Sequence, residues 1–443
     1  MTPMIARRQN PALKLGIPVL VFAVVLGAFA LANHSGGPTS AASGEAQPAA
    51  GLGRPARNTE ELIEDLQRQV RAEPDKAAGY AQLGDAYLQR TRETGDFGFY
   101  VRAERSFDEA LRREPGNATA IVGAGALALA RHDFDDGLRL GRRALELAPE
   151  TVRPYAVIVD GQVELGRYAA ARRSLQRMVD LKPNLASYSR VSYFRELHGD
   201  VHGATEAMRL AVSAGGGTKE SVAFVQTLLG DLLLDARKVS SARRAYDKAL
   251  VDVPSHLPAQ AGLARVDVAR GHLRAAARRL RAVTRRLPLP TYLTPLAEIE
   301  LALGRRGRAD RALQLIRVQR RLLQAAGTRI DVDLVLFEAD HGSAQRAVRF
   351  ARQVFAEAPG VRSDDALGWA LTRAGRPEEG LAHARRALRL GSVDPSFRYH
   401  AGIAARKAGR PVLARRELRK ALRLNPSFSP FHAGHARRAL RAL

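Results

Sequence analysis

Residues 80–115, YAQLGDAYLQRTRETGDFGFYVRAERSFDEALRREP, decide the fold. Tyr80, Leu83, Gly84 and Tyr87 recur at spacings of three and four, which lines them along one side of a helix. Ala103, Phe107 and Ala110 repeat that spacing, and Pro115 follows five residues later. Proline cannot continue a helix, and the residue before it avoids the helical region, so a second helix ends there. The stretch therefore reads as two helices joined by a turn.

The second half of this signature returns along the chain with unchanged internal spacing. The copies are Gly137, Gly141, Ala144, Pro149 and Ala171, Leu175, Met178, Pro183. Then come Ala242, Tyr246, Ala249, Pro254 and Ala276, Leu280, Val283, Pro288. The last two are Ala347, Ala351, Val354, Pro359 and Ala414, Leu418, Ala421, Pro426. The small first residue lets a neighbouring helix approach closely. A single helix pair cannot bury its apolar stripe, so successive pairs must stack. Glycines at 166, 199, 271, 342, 375 and 409 fall between paired helices, where a left-handed residue would close the first one.

This pattern resembles the tetratricopeptide repeat family: an aromatic, Leu-Gly and Tyr in the first helix, then Ala, Phe and Pro in the second. The fifth copy carries Leu229, Gly230, Ala242, Tyr246 and Pro254 in the same order. The resemblance spans roughly residues 59–426. It implies an all-α fold, a right-handed superhelix of about nine to ten helix pairs; an N-terminal hydrophobic helix, read separately from the apolar run at 15–32, is expected to precede it. Expected boundaries are repeats over 59–288, an irregular repeat or bend over 289–330, repeats over 331–426, and a capping helix over 427–443. Repeat one has extra residues around Thr91–Tyr100, where Phe97, Phe99 and Tyr100 are expected to pack the longer turn. The fourth repeat lacks its proline, and Pro295 interrupts a first helix.

The N-terminus follows other rules. Arg7, Arg8 and Lys14 precede an apolar run from Leu15 to Ala32, and no acid occurs before Glu45. The run lies between the length of a signal peptide core and that of a spanning helix. It reads as a retained anchor or as a signal cleaved near Ala32. In either case the basic flank stays on the cytoplasmic side. Residues 33–443 are then extracytoplasmic, membrane-anchored or secreted, with residues 33–58 as a flexible linker.

Composition excludes several chemistries. The chain has no Cys, so disulfides, thiolate catalysis and Cys-based zinc sites are ruled out. No motif for a nucleophile elbow, a zinc protease or a dinucleotide loop is present. Neither catalysis, a cofactor nor a metal is expected. His132, His198, His272 and His341 fall at inter-helix turns and read as surface residues.

Net charge is +25, and it is uneven. Residues 257–443 hold 37 Lys and Arg against 15 Asp and Glu, whereas residues 1–256 hold 33 against 30. Arg278, Arg279, Arg281, Arg285 and Arg286 share one second helix, expected to face outward as a basic convex patch. That surface suits anionic lipid or an envelope polymer. Nucleic acid is not an expected partner, because export separates the two.

The resemblance further implies that first helices line a concave groove. Its inner positions would be Asp85, Asp160, Glu164, Tyr193, Glu196, Asp231 and Asp235 in the early repeats. Arg265, Arg362, Trp369, Arg373, Tyr399, Arg406 and Lys407 would continue it in the late ones. The groove is thus expected to be acidic first and basic with aromatic anchors later, suited to an extended protein or peptide. The chain reads as an extracytoplasmic scaffold for protein–protein interaction, an accessory or assembly factor of a membrane or envelope complex.

Overall fold

A computed structural model describes residues 58–215, 218–325 and 329–443. The apolar run at 15–32 and residues 33–57 of its linker lie outside the described residues. All regular structure described is helical. A leading helix, α1 (Thr59–Ala72), precedes ten helix pairs. The first three are α2 (Ala77–Thr94) with α3 (Gly98–Arg113), α4 (Ala118–Ala130) with α5 (Phe134–Leu147), and α6 (Arg153–Glu164) with α7 (Tyr168–Leu181). Next come α8 (Leu185–Leu197) with α9 (Val201–Ala214), and α10 (Lys219–Asp235) with α11 (Val239–Asp252). Then follow α12 (Leu257–Ala269) with α13 (Leu273–Arg286), and α14 (Pro290–Ala302) with α15 (Arg306–Ala325). The last pairs are α16 (Val332–His341) with α17 (Ala344–Glu357), α18 (Val361–Arg373) with α19 (Pro377–Ala387), and α20 (Pro395–Lys407) with α21 (Pro411–Leu424). A closing helix, α22 (His432–Arg441), ends the stack. None of these helices is long and apolar enough to cross a membrane.

The spaced small and bulky residues do what their spacing implies. In all seven copies the three stripe residues are buried. Phe107 shows why glycine recurs in the first helices. Its ring lies between Gly84 of its own pair and Gly123 of the next, and a Cβ on either glycine would collide with the ring. Tyr246 stands in the same relation to Gly230 and Gly262. Phe107 and Tyr246 thus each fill a notch cut by two glycines, which locks those pairs in register.

The layering follows. First helices are sandwiched: nine of the thirteen residues of α4 are buried. Second helices keep one side in water: four of the fourteen residues of α13 are buried. Within the segment expected to be irregular, α14 and α15 pack as a pair, with Pro295 inside α14. Phe99 stacks on Tyr87 at 5.9 Å, and Tyr100 is buried beside Phe97, so the longer first turn is packed by its own aromatics.

Most turns close on a left-handed residue. Gly166, Gly199, Gly271, Gly375 and Gly409 have positive φ, as expected. Gly342 differs, with φ −126°. In the second and fifth pairs His132 and Arg237 take the left-handed position instead of glycine.

The solenoid also touches itself along its length. The Arg329 guanidinium donates to Asp133 across 196 residues of chain, at 2.6 Å. The Val361 amide donates to the Tyr168 hydroxyl across 193 residues, at 2.8 Å. Gly95 lies against Leu287, Gly166 against the Pro359 carbonyl, and Gly199 against the Gly391 carbonyl, at nearly the same separation. A constant offset means that one coil of the superhelix rests on the next. At the family's 34-residue period it returns after between five and six repeats.

Candidate functional site

The expected groove residues divide into those sealed inside the stack and those left near its inner face. Asp160 and Arg190 form a buried bidentate pair, with Nε and Nη2 donating at 2.9 and 2.7 Å. Burial pushes the Asp160 carboxyl up and the Arg190 guanidinium down, so both charges are held at a desolvation cost. Asp85 accepts from Arg153 two repeats away at 2.6 Å, and both side chains are largely buried. These carboxylates bridge repeats.

Trp369 and Tyr399 stand in the core instead of on a groove wall. They are 1% and 0% exposed. Trp369 stacks on His400 at 4.4 Å, and its indole N–H donates to Asp340 at 3.0 Å. The Tyr399 hydroxyl meets His435 Nδ1 at 2.7 Å. His400 pairs with Asp365 at 2.8 Å; despite burial, Asp365 holds its imidazole above the usual range. A large flat side chain at an inner-helix position can turn into the space between pairs, and linear spacing does not distinguish the two directions. Arg373 caps Trp369, with its guanidinium 5.6 Å from the ring, and donates to the Ala339 carbonyl. Lys407 donates to the Thr372 carbonyl at 3.2 Å, and Arg406 is exposed.

Of the histidines expected at the surface, His132 is buried and the His341 side chain is largely covered. His132 is 5% exposed and stacks on Phe134. Burial, with Arg362 and Arg329 nearby, pushes its imidazole down to about 4. The His341 side chain lies 3.7 Å from Glu298 and against Phe431 of the closing segment. Both turns are covered by other parts of the coil.

Two charged clusters remain on inner-helix positions. In the first, Arg265 donates to Asp231 at 2.5 Å and to Asp235 at 3.0 Å, and Tyr246 donates to Asp231 at 2.6 Å. Glu196 joins them from α8, and Asp394 comes from the cap of α20 on the neighbouring coil. Burial, then Asp235, Asp394 and Asp231, push the Glu196 carboxyl up to about 8, against the pull of Arg265. Arg265 thus pairs with two carboxylates, while the Glu196 and Asp394 carboxyls crowd beside them.

The second cluster lies where the coils touch. Glu164, Tyr193 and Arg362 line a cavity of about 40 Å³ with His132, Asp331 and apolar side chains from both coils. Tyr193 donates to Glu164 at 3.5 Å. Burial pushes the Glu164 carboxyl up and Arg362 pulls it back; Tyr193, Glu164 and Asp333 hold the Arg362 guanidinium above its usual range despite burial. Arg362 comes from a repeat that the sequence separates from Glu164 by about one superhelical turn. Tyr168, Asp133 and Arg329 complete this contact and were not foreseeable, because no repeat position encodes the offset.

The basic outer helix is partly neutralised. Arg279 pairs with Asp267 at 2.7 Å, and Arg281 lies 3.5 Å from Glu300. Arg278, Arg285 and Arg286 are exposed and have no ion pair among the described residues. The same residues contain no metal-binding group of three or more ligands.

The tetratricopeptide repeat family model matches residues 92–150 and 366–427. Cellulose synthase 1 operon protein C of Komagataeibacter xylinus is 26% identical over 230 residues, 52% of this chain and 14% of that protein. Human tetratricopeptide repeat protein 34 is 26% identical over 208 residues, 46% of this chain and 34% of that protein. The chain therefore spans well under half the length of either relative. Among solved structures, a thermophilic TPR protein of Thermus thermophilus is 20% identical over 43% of this chain and 98% of its own, with TM-score 0.38. A human IFIT1 dimer with PPP-AAAA is 16% identical over 82% and 78%, with TM-score 0.43. Ten stacked helix pairs, the glycine notches beneath Phe107 and Tyr246, and the family match towards both ends of the array agree: this chain carries tetratricopeptide repeats.

Proposed function

We propose that this protein is an extracytoplasmic scaffold that holds an extended protein partner along its inner face, as an accessory or assembly factor of a membrane or envelope complex. The observation that carries the reading is the gathering of Glu196, Asp231, Asp235 and Asp394 around the ion pairs of Arg265 with Asp231 and Asp235. Burial, and then the neighbouring Asp235, Asp394 and Asp231, push the Glu196 carboxyl up, and a basic side chain from a partner would relieve the repulsion among them. Stacked helix pairs suit such a partner because the face they offer is long and continuous. The similarity to an operon protein of cellulose synthase is in keeping with an envelope assembly. The apolar run at 15–32 supplies either the anchor or the export signal.

The test is crosslinking in intact cells followed by recovery of the full chain, parent against the double variant Glu196→Lys and Asp235→Lys. Loss of the crosslinked partner with helical content intact supports the reading; identical capture by both proteins rejects it. Sequencing the N-terminus of the mature chain decides between anchor and cleaved signal.

A second reading rests on a different observation. Arg274, Arg278, Arg285 and Arg286 on α13, Arg349 and Arg352 on α17, and Arg419 and Arg423 on α21 are all exposed and without ion pairs among the described residues. Many second-helix arginines of the early repeats have acidic neighbours, as in Arg139 with Asp136 and Arg209 with Glu206. The late outer face would hold anionic lipid or an envelope polymer. Binding to vesicles containing phosphatidylglycerol that disappears in high salt would favour it.

A further inference from the structure

The coil-to-coil contact is built, and its construction can be read from the glycines. A Cβ on Gly166 would stand 2.5 Å from the Pro359 carbonyl oxygen, and one on Gly199 would collide with the Gly391 carbonyl. Gly360 lies against the Glu164 carbonyl less tightly, at 3.1 Å from an added Cβ. By contrast, the turn glycines 271, 304, 375 and 409 have nothing within 4 Å. All these turns serve the same local purpose, yet only those on the seam face another backbone. The seam is bolted by the Tyr168 hydroxyl on the Val361 amide, by Arg329 on Asp133, and by the Arg389 guanidinium 5.7 Å from the Tyr168 ring.

At the centre of the seam a basic side chain of the late repeats enters an acidic inner position of the early ones. Glu164 and Tyr193 belong to the first helices of the third and fourth pairs, where a partner would lie. Arg362, from the first turn of α18, takes that place, lining one cavity with Glu164 and Tyr193.

We propose that the seam is an autoinhibitory latch in which Arg362 occupies, within the chain, the place of a basic side chain of an extended peptide partner. The inference rests on the groove reading above and adds how access to the groove is controlled. Release of Arg362 parts the two coils and frees Glu164 and Tyr193 for an arginine or lysine of the partner. The rim bond between Arg329 and Asp133 is partly exposed, so it adds to closure without touching the groove. A latch closed in nine molecules of ten lowers apparent affinity by about tenfold.

The test uses the full chain. Because it has no native Cys, Ala169→Cys and Ala356→Cys place spin labels at exposed positions on the two sides of the seam without background labelling. Pulsed electron paramagnetic resonance reads their separation. Hexa-arginine is the probe peptide, and Glu164→Gln is the control for its site. The parent should give one narrow, short distance. Arg362→Ala should lengthen and broaden it, and so should the rim double variant Asp133→Asn with Arg329→Gln, which leaves the groove intact. Both should bind hexa-arginine about tenfold more tightly than the parent, and Glu164→Gln should abolish the gain. A distance unchanged by either variant and by saturating peptide overturns the latch, while peptide binding to the parent that is lost in Glu196→Lys would leave the groove reading standing. If the seam opens but no variant binds the peptide, the groove reading itself fails, and the latch with it.

Discussion

Asp160 and Arg190 face each other across two neighbouring first helices and are sealed from water, Arg190 being 1% exposed. The pair joins the third repeat to the fourth with two parallel N–H···O bonds. Arg190 also donates to the Ala186 carbonyl, so its charge is well provided with partners.

Removing one member of such a pair leaves the other buried and uncompensated. Arg190→Leu should destabilise the array by about 3–5 kcal/mol. The double change Asp160→Leu with Arg190→Leu should recover most of that loss, because two apolar side chains need no solvation. Urea unfolding followed by circular dichroism measures both. Equal losses in the single and double variants would show that the pair does more than cancel its own desolvation.

Glu196 predicts the direction of a pH dependence. Its carboxyl is pushed up to about 8 in the folded protein, well above an ordinary glutamate. Between those limits the folded chain keeps a proton that the unfolded chain has lost. This contribution is therefore fully present at acid pH and is lost as pH rises towards 8. The melting temperature should fall between pH 5.5 and 8.5, and Glu196→Gln should flatten the slope. A slope unchanged in that variant would assign the effect to other groups.

Two turn glycines separate local strain from coil contact. Gly199 and Gly271 have the same φ, 78°. Alanine at 271 meets only the left-handed backbone cost, about 1–2 kcal/mol. Alanine at 199 meets that cost and also the Gly391 carbonyl of the next coil. Gly199→Ala should therefore lower the melting temperature more than Gly271→Ala. Equal effects would mean that the coils are not held together in solution.

The glycine notches make a prediction about paired changes. Gly262→Ala drives a methyl into the Tyr246 ring and should be strongly destabilising. Combining it with Tyr246→Leu makes room and should restore part of the stability. It also removes the Tyr246 bond to Asp231, so recovery should be incomplete. Chemical denaturation of the four proteins of this cycle gives the coupling directly.

The linear order of residues was sufficient for the helix pairs. Small and bulky side chains at spacings of four and three, closed by proline, specify which side of each helix is buried. The local glycine that receives Phe107 or Tyr246 is visible in the same way. These are contacts within a repeat or between adjacent repeats, and their distance along the chain is short and constant. The fate of Asp160, Trp369, Tyr399 and His132 belonged to tertiary structure. Each sits where a side chain can turn outward to the groove or inward between pairs, and the neighbour decides which. The seam belonged wholly to tertiary structure. A small rotation added at every repeat accumulates over 193 residues until Tyr168 meets Val361, and no residue of either repeat records that sum.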